Sequence, residues 1–288
     1  MKSVGKFLTI LLIVGTGVVA YDFRAVIRDW WFGLNTPKLP AAQKFTRGLK
    51  SAVGIGGEQN SPVEGGLAKS KNFILISTPP STAPAVKLNP FEAKQPLPQA
   101  INLDVPFTSQ APYQVWDLPY QETCEEAAAL MVDAFYRGVS GQIPPDQAKQ
   151  AIDDLIAFQT KQYGDYKDTN AQDTARFIKD YFHYQDVSVT KLVSVDQIKR
   201  ALANGYPVLI PVSGKQLGNP NYKHGGPPYH MLVIKGYTQG RFITNDSGTR
   251  KGADYTYAYE TVMRSAHDWN GGNVLQGQPM LIVVLPNK

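Results

Sequence analysis

Three residues of the 288-residue chain, Cys124, His230 and Asp246, carry the side chains that acyl transfer needs, in the order nucleophile, base, orienting group. Cys124 is the sole cysteine, so an internal disulfide or a multi-thiolate zinc site cannot form. No metal site and no cofactor is implied. The thiol sits at the start of a predicted helix, Glu125 to Tyr136 (EEAAALMVDAFY), with Thr123 or Cys124 as its first residue. Unpaired N–H groups and the helix dipole favour a thiolate there, which predicts an unusually nucleophilic Cys124 near neutral pH. Glu125 and Glu126 suit a helix N-terminus, but their charge opposes that thiolate.

His230 heads the predicted strand HMLVIKGY, and Asp246 closes FITND before the turn Ser247-Gly248. Taken singly, Cys124 reads as a small buried hydrophobe, His230 as a core histidine and Asp246 as a turn residue; the combination carries the chemistry. Asn245 competes with Asp246 for the orienting role. Adjacent strand residues face opposite sides, so one alone can reach His230, and the carboxylate, the stronger partner for an imidazolium, is expected to be that one.

The elements that must position these groups are legible from Ile101 onward. Leu103 to Phe107 reads as a strand, and helices are predicted at about Pro145 to Phe158, Ala171 to Phe182 and Val195 to Ala203. Val187 to Leu192 and Pro207 to Val212 read as strands, and Ser213 to Pro228 as a Gly/Pro-rich loop. Strands follow at Tyr229 to Tyr237, Arg241 to Asp246 and Met280 to Leu285, with a helix around Thr261 to His267. Helices first and an antiparallel sheet last make an α+β domain over 101–288. Tyr255, Tyr257 and Tyr259 alternate like one face of a strand, with packing as their expected role.

The first hundred residues differ. Lys2 and Lys6 precede the uncharged run Phe7 to Tyr21, the charge order of an export signal. Val18 and Ala20 offer a small-residue cleavage site, while an extension through Phe23 to Ile27 would make an uncleaved anchor. Both readings of 1–34 stay open, and both place the domain outside the cytoplasmic membrane. Arg24, Arg28, Trp30, Trp31 and Phe32 suit a membrane interface. Residues 35–100 hold nine prolines without sustained periodicity and read as a mostly disordered tether, interrupted by the apolar island Phe73 to Ile76. Residues 1–100 carry a formal charge of +7 and the remainder −2, so the domain lacks the basic stripe of a nucleic-acid binder.

The stretch VPFTSQAPYQVW…TCEEAAALM, with YHMLVIKGY and FITNDSGT downstream, resembles the C39-like cysteine peptidases, a papain-fold group. The resemblance covers Ile101 to about Leu285 and implies a papain-like fold with the nucleophile at a helix start. It also implies a Cys124/His230/Asp246 triad, Gly236 as the family's glycine, Gln110 as an oxyanion donor, and a peptide or protein substrate. Many members carry Cys-Gly-Pro where this chain has Cys124-Glu125-Glu126, and the family Asp is often followed by Pro rather than Ser247. Tyr113 and Trp116, between Gln110 and Cys124, and His224 in the later loop are candidate cleft residues. A catalytically silent peptide- or envelope-binding domain and a peptidoglycan amidase or transpeptidase compete with the peptidase reading. No G-x-x-x-x-G-K-[ST] motif is present, so the chain is not itself a peptidase-bearing ATP-driven exporter.

Overall fold

The computed structural model describes residues 38–45, 89–92 and 96–287. The chain divides into two units, Met1–Leu39 and Pro40–Lys288. The apolar run Phe7 to Tyr21, its aromatic border and the island Phe73 to Ile76 lie outside the described residues. Among the described residues no helix is long and apolar enough to cross a membrane.

Helix α1, Cys124–Tyr136, is buried at every position from Cys124 to Phe135. A helix enclosed all round is a core element, and the Ala127–Ala129 run lets its neighbours approach closely. Enclosure also traps three carboxylates, those of Glu125, Glu126 and Asp133. Helix α2, Pro145–Tyr163, is entered through Pro at its first position and ends at Gly164 in the left-handed conformation, five residues beyond the expected stop. Helix α3, Ala171–Phe182, starts where the Asn170 side chain accepts from the backbone N–H groups of Gln172 and Asp173. Ser194 does the same for α4, Val195–Ala203.

The strands are β1 (Ile101–Asn102), β2 (Asp186–Lys191), β3 (Val208–Val212), β4 (His230–Thr238), β5 (Arg241–Asn245), β6 (Tyr255–Ala258) and β7 (Met280–Leu285). They form one antiparallel sheet in the order β2-β7-β3-β4-β5-β6, with β1 added to β4. The class is therefore α+β, as expected. The sheet's centre, β3 and β4, is buried almost throughout. Short helices α5 (Gly214–Leu217) and α6 (Tyr259–Ser265) flank it.

The differences from expectation have local causes. Leu103 to Phe107 is not a strand: pairing stops at Asn102, and Leu103 and Phe107 make single bridges to Gln43 and Gln142. Pro106 has no N–H to continue a ladder. The Tyr face begins as β6, and the helix predicted near Thr261 starts two residues earlier. Short pieces of the expected tether are built onto the domain. Gln43 exchanges backbone hydrogen bonds with Asn102 and Asp104, and Phe45 packs edge-on against Tyr136, 5.0 Å between ring centres. Asn204 donates to the carbonyls of Pro90 and Glu92.

Gly236 shows how β1 reaches the sheet. A side chain there would place its Cβ 2.2 Å from the Ile101 carbonyl oxygen, and the β4–β5 register shifts between Ile234 and Gly236. Only glycine lets the β1 backbone cross at that point.

Candidate active site

The fold brings three elements together. The N-terminus of α1 presents Cys124, the first residue of β4 presents His230, and the end of β5 presents Asp246. Cys124 is 6% exposed, His230 1% and Asp246 0%. Gln110 ties the turn after Asp246 to the residue before α1. Its backbone N–H donates to the Ser247 carbonyl at 3.0 Å, and its carbonyl accepts from Thr123 Oγ1 at 3.1 Å.

His230 Nε2 lies 2.9 Å from Asp246 Oδ1. Asp246 is held by further donors: Gly248 N–H on Oδ1, and Asn219 Nδ2, Tyr222 OH and Tyr257 OH on Oδ2, at 2.9, 2.7 and 2.5 Å. Burial by itself would raise this carboxyl. The hydrogen bond and charge of His230, with the hydroxyls of Tyr257 and Tyr222, instead hold it below the usual carboxylate range. An ionised Asp246 requires the proton on Nε2, which leaves Nδ1 as the basic nitrogen. Gly248 makes room for this cradle, since a Cβ there would meet the Tyr222 ring at 2.9 Å and His230 Cε1 at 3.1 Å.

Asn245 faces elsewhere. Its amide donates to the carbonyls of Val105 and Pro106, both at 3.0 Å, and stitches the segment before Gln110 to the sheet. Asp246, not Asn245, is the residue that touches the imidazole.

Cys124 is not paired with His230. Its Sγ donates to Glu125 Oε2 at 2.9 Å, and the backbone N–H of Met231, the residue after His230, also reaches the sulfur. Burial, then the charge and hydrogen bond of Glu125 and the charge of Glu126, push the thiol well above its usual range. The helix start alone predicts a depressed value, so enclosure and the acidic pair outweigh the dipole. Glu125 is itself raised well above the carboxylate range by burial and by the charge of Glu126, and Glu126 is raised to about 7 by burial. Enclosure and the acidic pair together therefore favour the protonated thiol at rest.

Gln110 is 4% exposed and bonded through its carbonyl to Thr123, the residue before α1. However, its amide nitrogen donates to the Tyr120 and Gln121 carbonyls, at 3.1 and 3.0 Å, which uses both N–H groups. The expected oxyanion donor is in this state a brace for the turn before Cys124. The Cys124 backbone N–H, in the first turn of α1, has no intrahelical partner. Tyr113 is exposed and Trp116 half-buried on the intervening loop, and His224 is exposed in a turn with left-handed backbone. None of the three bonds to the Cys124, His230 or Asp246 side chains.

Sequence reasoning missed Asn219, Tyr222 and Tyr257. Tyr257 was expected only to pack, and the alternation of Tyr255 and Tyr257 was the one signal of its inward face. A cavity of about 360 Å³ lies between the C-terminal half of α1 and the start of α2, lined by Leu130, Ala134, Ile143 and Ala151. It is remote from the thiol, so convergence of chemistry, not concavity, identifies the site.

The model of the Peptidase_C39 like family matches residues 102–273, which span Cys124, His230 and Asp246. No curated protein matches the chain. Two of the solved structures that it matches are these. One, described as a C39-like peptidase from Bacillus anthracis, is 15% identical, covering 66% of this chain and 100% of its own, with a TM-score of 0.42. The other, xylellain, a cysteine protease from Xylella fastidiosa, is 14% identical, covering 73% of this chain and 91% of its own, with a TM-score of 0.33.

Proposed function

Since the chain belongs to the Peptidase_C39 like family, we propose that it is a cysteine peptidase that hydrolyses peptide or amide bonds through Cys124, His230 and Asp246. The observation that carries this reading is the 2.9 Å contact between His230 and an ionised Asp246, at the strand whose second residue, Met231, touches the Cys124 sulfur. His230 Nδ1 takes the thiol proton as Sγ attacks the substrate carbonyl carbon. The C–N bond then breaks, and the imidazolium gives the proton to the departing amine. Water, deprotonated by the same nitrogen, hydrolyses the thioester and restores the thiol. The Cys124 N–H supports the oxyanion. Gln110 adds a second donor when its amide leaves the Tyr120 and Gln121 carbonyls, each donor being worth about 3 kcal/mol in comparable sites.

The Lys-flanked run Phe7 to Tyr21 supports action outside the cytoplasmic membrane, secreted or tethered to it. A second reading, a silent peptide- or envelope-binding domain, is favoured by one observation, the neutral thiol bonded to Glu125. Turnover of a fluorogenic peptide library by the full chain, against Cys124→Ala and His230→Ala, separates the two. Hydrolysis lost in both variants supports the peptidase. Peptide binding without hydrolysis, equal in wild type and Cys124→Ala, supports the binding domain.

A further inference from the structure

Glu122, Glu125 and Glu126 precede or occupy the first turn of α1, beside the nucleophile. The loop between α2 and α3 adds Asp165 and Asp168. That loop is anchored to the active site by Tyr229, the neighbour of His230, whose hydroxyl donates to the Thr169 carbonyl at 2.8 Å. The charge of Asp168 reaches Glu125, those of Glu122 and Asp165 reach Asp168, and Tyr229 senses both Glu125 and Asp168. The cluster grades inward from exposed Asp165, through half-buried Glu122 and Asp168, to Glu125 and Glu126, which are 1% and 0% exposed.

A buried carboxyl oxygen without a donor is costly. Two occur here, Glu125 Oε1 and Glu126 Oε2. No ion pair among the described residues includes any of the five carboxyls. Lys167, the cation in the same loop, lies over the Tyr166 ring. Among the described residues no group of three or more His, Cys, Asp or Glu is arranged to hold a metal ion. What the oxygens lack is a set of N–H donors carrying positive charge, which a guanidinium or ammonium supplies.

We propose that this cluster is a subsite for a basic side chain next to the scissile bond, so that the enzyme selects substrates carrying Arg or Lys there. The inference rests on the peptidase reading above and adds its substrate class. Entry of the cation lets Glu125 and Glu126 release their protons to solvent as carboxylates. The groups facing Glu125 are Cys124 and Glu126 on α1, Asp168 with its neighbour Lys167 on the loop, and Tyr229 before β4. Most of these are acids, so the preference for a basic side chain should strengthen with rising pH.

The test is kcat/KM for matched fluorogenic peptides with Arg, Lys, Leu or Glu on either side of the scissile bond, using the full chain. We expect Arg or Lys to exceed Leu by at least about tenfold and Asp168→Lys to collapse that ratio. A preference for Leu or Glu, or a ratio unmoved by Asp168→Lys and Asp165→Lys together, overturns the subsite and leaves the peptidase standing. If no peptide is cleaved, the peptidase reading fails, and protection of Cys124 from iodoacetamide still decides the subsite. Better protection by N-acetylarginine amide than by N-acetylleucine amide supports a cation site, and equal protection overturns it.

Discussion

The thiol of Cys124 donates to the carboxyl of its chain neighbour Glu125 across 2.9 Å, so the proposed nucleophile at rest is bonded to an acid and not to the proposed base, His230. Two costs keep it protonated, the enclosure of the sulfur and the negative charge that Glu125 and Glu126 would add beside a thiolate. Glu125→Gln removes one of those charges while keeping a side chain of similar shape. Alkylation of Cys124 by iodoacetamide at pH 7 should then be at least about tenfold faster than in wild type, a change of about one pKa unit. An unchanged rate would mean that enclosure alone sets the thiol.

Asp246 and Asn245 should separate cleanly on substitution. Asp246→Asn leaves the cradle's shape but replaces an ionised acceptor, and turnover should fall by at least about tenfold, or ~1.4 kcal/mol of barrier. Asn245→Ala removes the two bonds to Val105 and Pro106, which should lower stability by about 1–3 kcal/mol with a smaller effect on the barrier. Denaturant midpoints and kcat, measured on both variants, test the pair.

Tyr257 donates to Asp246 from β6 without touching the imidazole. Tyr257→Phe should cost about 1 kcal/mol, roughly fivefold in kcat/KM. It should also move the acid limb of the pH–rate profile upward, because a carboxylate with one donor fewer is easier to protonate. A loss of stability with an unmoved acid limb would make Tyr257 a packing residue only.

These contrasts trace what was legible before the structure. α3 and α4 were readable because Asn170, Ser194 and the apolar spacing mark their limits locally. The choice between Asn245 and Asp246 was readable because strand alternation is a local rule. Asn219 and Tyr222 were not, since they reach Asp246 from a Gly/Pro-rich loop whose path depends on contacts 24 to 27 residues away. The Cys124–Glu125 bond escaped as well, because helical spacing pairs residues three and four apart, not neighbours. The docking of Phe45 was hidden by composition: one aromatic in a Pro/Gly/Ser-rich stretch carries no periodic signal, yet it packs on Phe135 and Tyr136.

That docking predicts where a stable fragment begins. A chain starting at Ala100 loses the Phe45 packing, the Gln43 bonds to Asn102 and Asp104 and the Asn204 bonds to Pro90 and Glu92. It should still fold, with stability lowered by about 2–4 kcal/mol relative to the full chain. Phe45→Ala in the full chain should account for about 2 kcal/mol of it. Urea midpoints of the three proteins decide; identical midpoints would show that the upstream pieces add nothing to the fold.

The last expectation concerns pH and Glu126. Its folded value, about 7, lies above the unfolded carboxyl's, about 4.3. Between these values the folded state binds the extra proton, so the contribution of Glu126 is fully present below about pH 4 and is lost as pH rises through 7. Asp246, depressed in the fold, works in the opposite direction and loses its contribution on acidification. Glu126→Gln removes the first dependence and leaves the second, and Gln can still accept from Gln159. The variant's Tm should therefore exceed that of wild type by more at pH 8 than at pH 5. A Tm difference constant across that range would mean that Glu126 titrates in the fold as it does in the unfolded chain.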